Sequence, residues 1–131
     1  MEKRILIISG EASGDIHGAS LLEALKGHIP SLKVFGMGGP RMREAGLEGF
    51  DARDMSVVGV AEVIGKLPAM LRRFRELRDI LEREKIDGVV LIDYPDFNLR
   101  FAREAKKRGI PVVYYISPQI WAWRKGALPR R

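Results

Sequence analysis

Asp93 is the group in this sequence with the clearest chemical promise. It closes the apolar run Gly88-Val89-Val90-Leu91-Ile92, where a carboxylate is costly to bury unless it is hydrogen-bonded or used. Pro95 fixes the turn that follows, and Asp96 is well placed to cap the next helix. Asp96 therefore has a structural role ready, and Asp93 is the better candidate for chemistry. A lone carboxylate in such a place suits proton transfer.

Two other stretches carry chemical potential. Ser9-Gly10-Glu11-Ala12-Ser13-Gly14-Asp15 has glycines that let the backbone pass close to a ligand and a helix whose free N–H groups suit an anion. It is neither a G-x-G-x-x-G fingerprint nor a P-loop, and a tight capped β–α turn reads equally well. Ser117-Pro-Gln-Ile-Trp121-Ala-Trp123 holds both tryptophans, which suit a core lid or the wall of a sugar or acyl site. His17 has no second histidine or carboxylate cluster at ligand spacing, so it reads as a loop or helix-surface histidine and no metal is indicated.

The elements that position these loops follow from periodicity. Ile5–Ser9 reads as a buried parallel strand. A helix follows, with Ile16, Ala19, Leu22 and Leu25 inward and Ser13 or Asp15 as its cap. Leu32–Gly36 predicts a second strand, Met37-Gly38-Gly39-Pro40 a turn, and Arg41–Ala45 a short helix closed by Gly46. Glu48–Arg53 suits a short edge strand. Leu67, Met70, Leu71, Phe74, Leu77 and Leu81 have helical spacing. Asp87–Asp93, Phe97–Arg108 and Pro111–Ile116 then read as strand, helix and strand. Alternating strands and helices predict a doubly wound, Rossmann-like parallel sheet with helices on both faces, and Ile5–Ser9 beside Val89–Asp93 at its centre. Ligands of such sheets bind beyond the carboxyl ends of the strands, where all three loops fall.

Composition narrows the class. The 131 residues fit one domain, and 46% hydrophobic content is too rich for a disordered chain. Without cysteine, disulfides, thiolate metal sites and a cysteine nucleophile are excluded. The apolar run Ile5–Ile8 is too short for a signal peptide or membrane span, so a cytoplasmic domain is expected. Residues 1–96 carry a net charge of −2 and residues 97–131 a net +8. A basic end suits a phosphorylated ligand, an anionic membrane or nucleic acid. With no RNP, zinc-finger or helix-turn-helix signature, nucleic acid is not expected as a partner.

Val57, Val58, Val60, Val63 and Ile64 form a dense apolar patch punctuated by Gly59 and Gly65, hard to bury as one regular element. Lys66, Arg72, Arg73, Arg75 and Arg78 ring the helical stripe that follows. Apolar residues ringed by cations suit an anionic bilayer surface. The patch, with Val58, Val60, Val63 and Ile64, is expected to face lipid, and the stripe Leu67–Leu81 to pack mainly on the sheet.

Five motifs resemble, in order, those of the lipid-A-disaccharide synthase family: SGEASGDIHGA at Ser9–Ala19, GMGGPRM at Gly36–Met42, SVVGVAEVI at Ser56–Ile64, IDYPDFN at Ile92–Asn98 and YISPQIWAWR at Tyr115–Arg124. The resemblance implies an inverting GT-B glycosyltransferase that moves 2,3-diacylglucosamine from UDP-2,3-diacylglucosamine to 2,3-diacylglucosamine 1-phosphate. It implies Asp93 as general base for the attacking 6-hydroxyl, a role that withdrawal from water strengthens. Glu11, Ser13, Gly14, Asp96, Asn98 and Trp121 would bind substrate or hold the site, with neither cofactor nor metal. Residues 1–131 would form the N-terminal, acceptor-side domain, peripheral on the inner membrane. The UDP-sugar-binding C-terminal domain would lie outside this chain, leaving it inactive alone. The alternative is a non-catalytic Rossmann-like module for an anionic lipid or nucleotide.

Overall fold

A computed structural model describes residues 2–10, 12–51 and 60–115, with residues 12, 13, 51 and 60–67 described as backbone alone. Strand β1 is Arg4–Ser9, helix α1 Ala12–His28, β2 Lys33–Gly38, α2 Pro40–Glu44 and β3 Glu48–Asp51. Helix α3 is Val60–Arg83, β4 Gly88–Ile92, α4 Pro95–Lys107 and β5 Val112–Tyr115. The five strands form one parallel sheet in the order β3-β2-β1-β4-β5. Strands β1 and β4 are central neighbours, with Ile8 beside Leu91 and Ser9 beside Ile92. The doubly wound class expected from the sequence is the one observed.

Alternation along β1 divides the core in two. Leu6 and Ile8 face α3 and α4, packing with Leu77, Leu81, Phe97 and Phe101. Ile7 faces α1 and α2, packing with Leu22, Val34 and Met42. An aromatic chain runs through the first core. The Tyr94 ring stacks on Phe97 with centroids 5.2 Å apart, Phe74 meets Phe97 edge-on at 5.3 Å, and Phe74 meets Phe101 at 5.5 Å. Such pairings add stability beyond their buried area. The Arg73 guanidinium lies 4.2 Å from the centre of the Phe50 ring, joining α3 to edge strand β3.

Several elements differ from the periodicity reading. Strand β2 runs on through Met37 and Gly38, because Met37 is fully buried and pairs with β1 and β3. Gly36 supplies the positive φ that close strand contact requires there. Ile16 is 52% exposed rather than inward, while Ala19 and Leu22 are buried as predicted. Helix α3 begins at Val60, well before the predicted start, and passes through Gly65 and Pro68 without a break. Hydrophobic spacing across the whole segment outweighs about 1 kcal/mol of glycine and about 3 kcal/mol of proline penalty. Within that helix Leu77 and Leu81 are core, but Leu71 is 51% exposed.

Candidate active site

The sheet order reverses at β1 and β4. β2 lies on one side of β1 and β4 on the other, so the connections leaving their carboxyl ends diverge to opposite faces. That switch point is the crevice where ligands of open α/β sheets bind. Two of the three chemically promising loops leave from it.

The segment after β4 is held in an unusual shape. Asp93 and Tyr94 both have φ of 50°, in the left-handed region that non-glycine residues seldom occupy. Such a conformation costs of order 1 kcal/mol or more per residue and persists only where surroundings impose it. Here they do. The Asp93 N–H donates to the Tyr115 carbonyl at 3.3 Å, the Tyr114 hydroxyl donates to the Asp93 carbonyl at 3.0 Å, and the Asn98 amide donates to that same carbonyl at 2.8 Å. The Asn98 N–H in turn donates to the Tyr94 carbonyl at 3.0 Å. Asp93 is 1% exposed at the foot of the crevice.

Asn98 does more than hold Asp93. Its Nδ2 also faces the carbonyls of Ile92 at 3.3 Å and Ile8 at 3.5 Å, the last from β1. One amide therefore spans the ends of both strands at the switch point. Three facing carbonyls fix its orientation, since only the NH₂ end can donate. The side chain is fully buried, and its Oδ1 accepts no hydrogen bond from any described residue.

The β1 and β4 connections touch each other. A Cβ on Gly10 would fall 2.5 Å from the Tyr94 ring, and one on Gly14 would overlap the Ser9 hydroxyl. Both glycines are required by close approach. Asp15 lies inside the first turn of α1 and does not cap that helix. It is buried, and its carboxylate accepts from the N–H groups of Arg41 at 3.0 Å and Met42 at 2.9 Å. Helix α2 begins at Gly39 and Pro40, which offer no side-chain cap, so Asp15 supplies one from another element. A Cβ on Gly39 would fall 2.6 Å from the Asp15 carboxyl carbon.

The other predicted residues are dispersed. Asp96 is exposed on the first turn of α4, on the side facing α3 rather than against Asp93. Ser13 lies on the first turn of α1. Glu11, Trp121 and Val58 fall outside the described residues, as does the whole Ser117–Trp123 loop. Val60, Val63 and Ile64 lie on the first turns of α3. Periodicity gave no sign of Tyr114 as a site residue, because its role depends on reaching across from β5. His17 lies beside Tyr115, ring centres 5.7 Å apart. Among the described residues no three His, Asp or Glu side chains gather as a metal site.

This combination of sheet order and switch-point crevice is the open, doubly wound α/β architecture. It is similar to the crystal structure of a UGT transferase from Siraitia grosvenorii in complex with UDP, with a TM-score of 0.54 at 15% identity over 87% of this chain and 27% of that one. That likeness is one of fold. Residues 5–128 match the lipid-A-disaccharide synthetase family model, and the chain belongs to that family. It is 54% identical over 127 residues to the lipid-A-disaccharide synthase of Syntrophus aciditrophicus, covering 96% of this chain and 33% of that protein. It is 51% identical to the one from Trichlorobacter lovleyi, covering 98% of this chain and 34% of that protein. The chain thus spans about a third of the length of the curated relatives it matches.

Proposed function

We propose that this chain is the acceptor-side domain of an inverting glycosyltransferase that makes the lipid A disaccharide. In this reading the 6-hydroxyl of 2,3-diacylglucosamine 1-phosphate attacks the anomeric carbon of UDP-2,3-diacylglucosamine. The new C–O bond forms as the bond to the UDP oxygen breaks. The hydroxyl proton passes to the Asp93 carboxylate, and UDP leaves with the bonding pair. A single displacement needs one base, which is the half of inverting carbohydrate chemistry that a lone carboxylate supplies. The observation that carries the reading is Asp93 itself, withdrawn from water at the switch point and held in a left-handed turn by Asn98, Tyr114 and Tyr115.

Further assignments belong to the same reading. Glu11, Ser13 and Gly14 line the acceptor side, Asn98 supports the turn, and Trp121 walls the sugar or acyl group. Charge developing on UDP is handled by a separate C-terminal domain, so residues 1–131 alone do not synthesise disaccharide. Acylated substrates bring the protein to the cytoplasmic face of an anionic membrane through Val58, Val60, Val63 and Ile64. No helix among the described residues is long and apolar enough to cross a membrane.

The test is Asp93→Asn in the complete two-domain protein, with UDP release measured from both lipid substrates. The isostere keeps the shape and removes the base. Turnover should fall by about 10²–10⁴-fold with little change in melting temperature. Near-normal turnover would overturn the base assignment and favour a module that binds an anionic lipid or nucleotide without chemistry.

A further inference from the structure

Helices α3 and α4 enclose a groove of 660 Å³ whose lining includes Leu71, Phe74, Leu99, Arg100, Arg103 and Lys107. Leu71 is 51% and Leu99 56% exposed. A single exposed leucine is unremarkable, but these two come from different helices and share one groove. Phe74 forms its floor, joined to the core through Phe97 and Phe101.

The charges around these leucines are unbalanced. The groove holds two acids, Asp96 and Glu104. Glu104 is already engaged by Arg108 at 3.1 Å and Lys107 at 3.4 Å. Arg100 and Arg103 are exposed, and neither has a carboxylate partner among the described residues. The same holds for Arg72 and Arg75 on α3. Exposed apolar anchors set among unneutralised guanidinium groups fit a surface with hydrocarbon below and phosphate above. Guanidinium binds phosphate in a bidentate fork, which ammonium does not.

We propose that the α3–α4 edge is a docking surface for an anionic phospholipid bilayer. Arg100 and Arg103 hold the phosphate headgroups, and Leu71 and Leu99 dip beneath them. The proposal rests on the reading that this protein meets a membrane, and it adds α4 to a contact assigned so far to Val58 and to Val60, Val63 and Ile64 at the start of α3. Val60, Val63 and Ile64 lie on the same helix as Leu71. Helix α4 also starts directly after the Asp93 turn, so a bilayer on this edge would present acylated molecules beside the crevice.

The test is co-sedimentation of the 131-residue chain with vesicles of phosphatidylglycerol and phosphatidylcholine, against phosphatidylcholine alone, at low salt. Variants are Arg100→Gln with Arg103→Gln, Leu99→Ser, Val63→Ser with Ile64→Ser, and Lys26→Gln with Lys33→Gln as a charge control elsewhere. Each basic residue near an anionic surface contributes about fivefold, so the double arginine variant should lose about thirtyfold in partitioning. The charge control should stay nearer to wild type. Leu99→Ser should weaken binding at high salt as well, where charge is screened. Leu99, Arg100, Arg103, Lys26 and Lys33 are all exposed or half-buried, so the melting curves of these variants should be unchanged. If Val63→Ser with Ile64→Ser loses binding while the α4 variants keep it, the α4 surface is wrong and the membrane reading stands. If wild type ignores phosphatidylglycerol vesicles, both fail. Dissociation of a dimer by Leu99→Ser, seen by light scattering, would assign the groove to a second copy and overturn the proposal. Tight binding of a duplex oligonucleotide, lost equally in the arginine variant, would overturn it in favour of nucleic acid.

Discussion

The Asn98 side chain donates to the Asp93 carbonyl oxygen at 2.8 Å, from the first turns of the helix that Asp93 introduces. The bond closes the β4–α4 connection on itself. Because the same amide faces the Ile8 and Ile92 carbonyls, one group ties the Asp93 turn to the ends of the two central strands. Replacing Asn98 with leucine keeps the volume and removes the donor, leaving buried carbonyls without it. The expected loss is about 2–3 kcal/mol in urea unfolding. Asn98→Asp should be worse at neutral pH, since a carboxylate would face three carbonyl oxygens. Equal unfolding midpoints for wild type and Asn98→Leu would show that the amide holds nothing.

Gly10 and Tyr94 test the contact between the two connections. Gly10→Ala would place a methyl group 2.5 Å from a ring that is stacked on Phe97. The expected cost is about 1–3 kcal/mol, as for other overpacked sites. In a Tyr94→Leu background the same change should cost much less. A double-mutant cycle should therefore give a coupling of at least about 1 kcal/mol, and simple additivity would rule the contact out.

Asp15→Ala should destabilise the protein by about 2 kcal/mol, because two N–H groups at the start of α2 lose a charged acceptor. Asp15→Asn keeps one carbonyl oxygen and should lose roughly half as much. Gly39→Ala should also be destabilising, through collision with the Asp15 carboxyl. Denaturant titration of the three variants orders them. A neutral Asp15→Ala would disprove the shared cap.

Glu104 makes stability depend on pH near the end of α4. Its hydrogen bond to the Arg108 guanidinium holds the Glu104 carboxyl below its ordinary value of 4.5, with Lys107 adding to the effect. Folding thus favours the ionised form. The contribution is present above the ordinary value and fades as pH falls through the lowered one. The difference in melting temperature between wild type and Glu104→Gln should be largest near pH 7 and shrink below pH 4.5. A difference that grows on acidification would contradict the sign.

Elements with strong local signals were legible from the sequence. The run ending at Ile92, the body of α4 and its Gly109 end follow from hydropathy and from residues that limit the backbone, but α4 starts at Pro95 rather than Phe97, with Tyr94 and not Asp96 at its cap position. The central pairing of Ile5–Ser9 with Val89–Asp93 followed too, because alternating strands and helices allow few arrangements. Relations between elements were not legible. The acid and amide types of Asp15 and Asn98 are visible, but the N–H groups that Asp15 serves lie on a helix 27 residues away at Met42. Met37-Gly38-Gly39 reads as a turn because glycine marks both turns and crowded strands, and only packing tells them apart. Helix α3 hid its start behind Gly65 and Pro68, local breakers overruled by the spacing around them.

The place of β1 between β2 and β4 has a consequence for synthesis. The ribosome delivers β1 first among the strands, and β2 soon after, so one edge of Arg4-Ile-Leu-Ile-Ile-Ser9 pairs early. The other edge waits for Gly88–Ile92. During that interval an apolar strand with one open row of backbone donors and acceptors is available to any neighbouring chain. Nascent chains stalled between β3 and β4 should therefore be the species that chaperones hold most tightly and that aggregate first when translation slows.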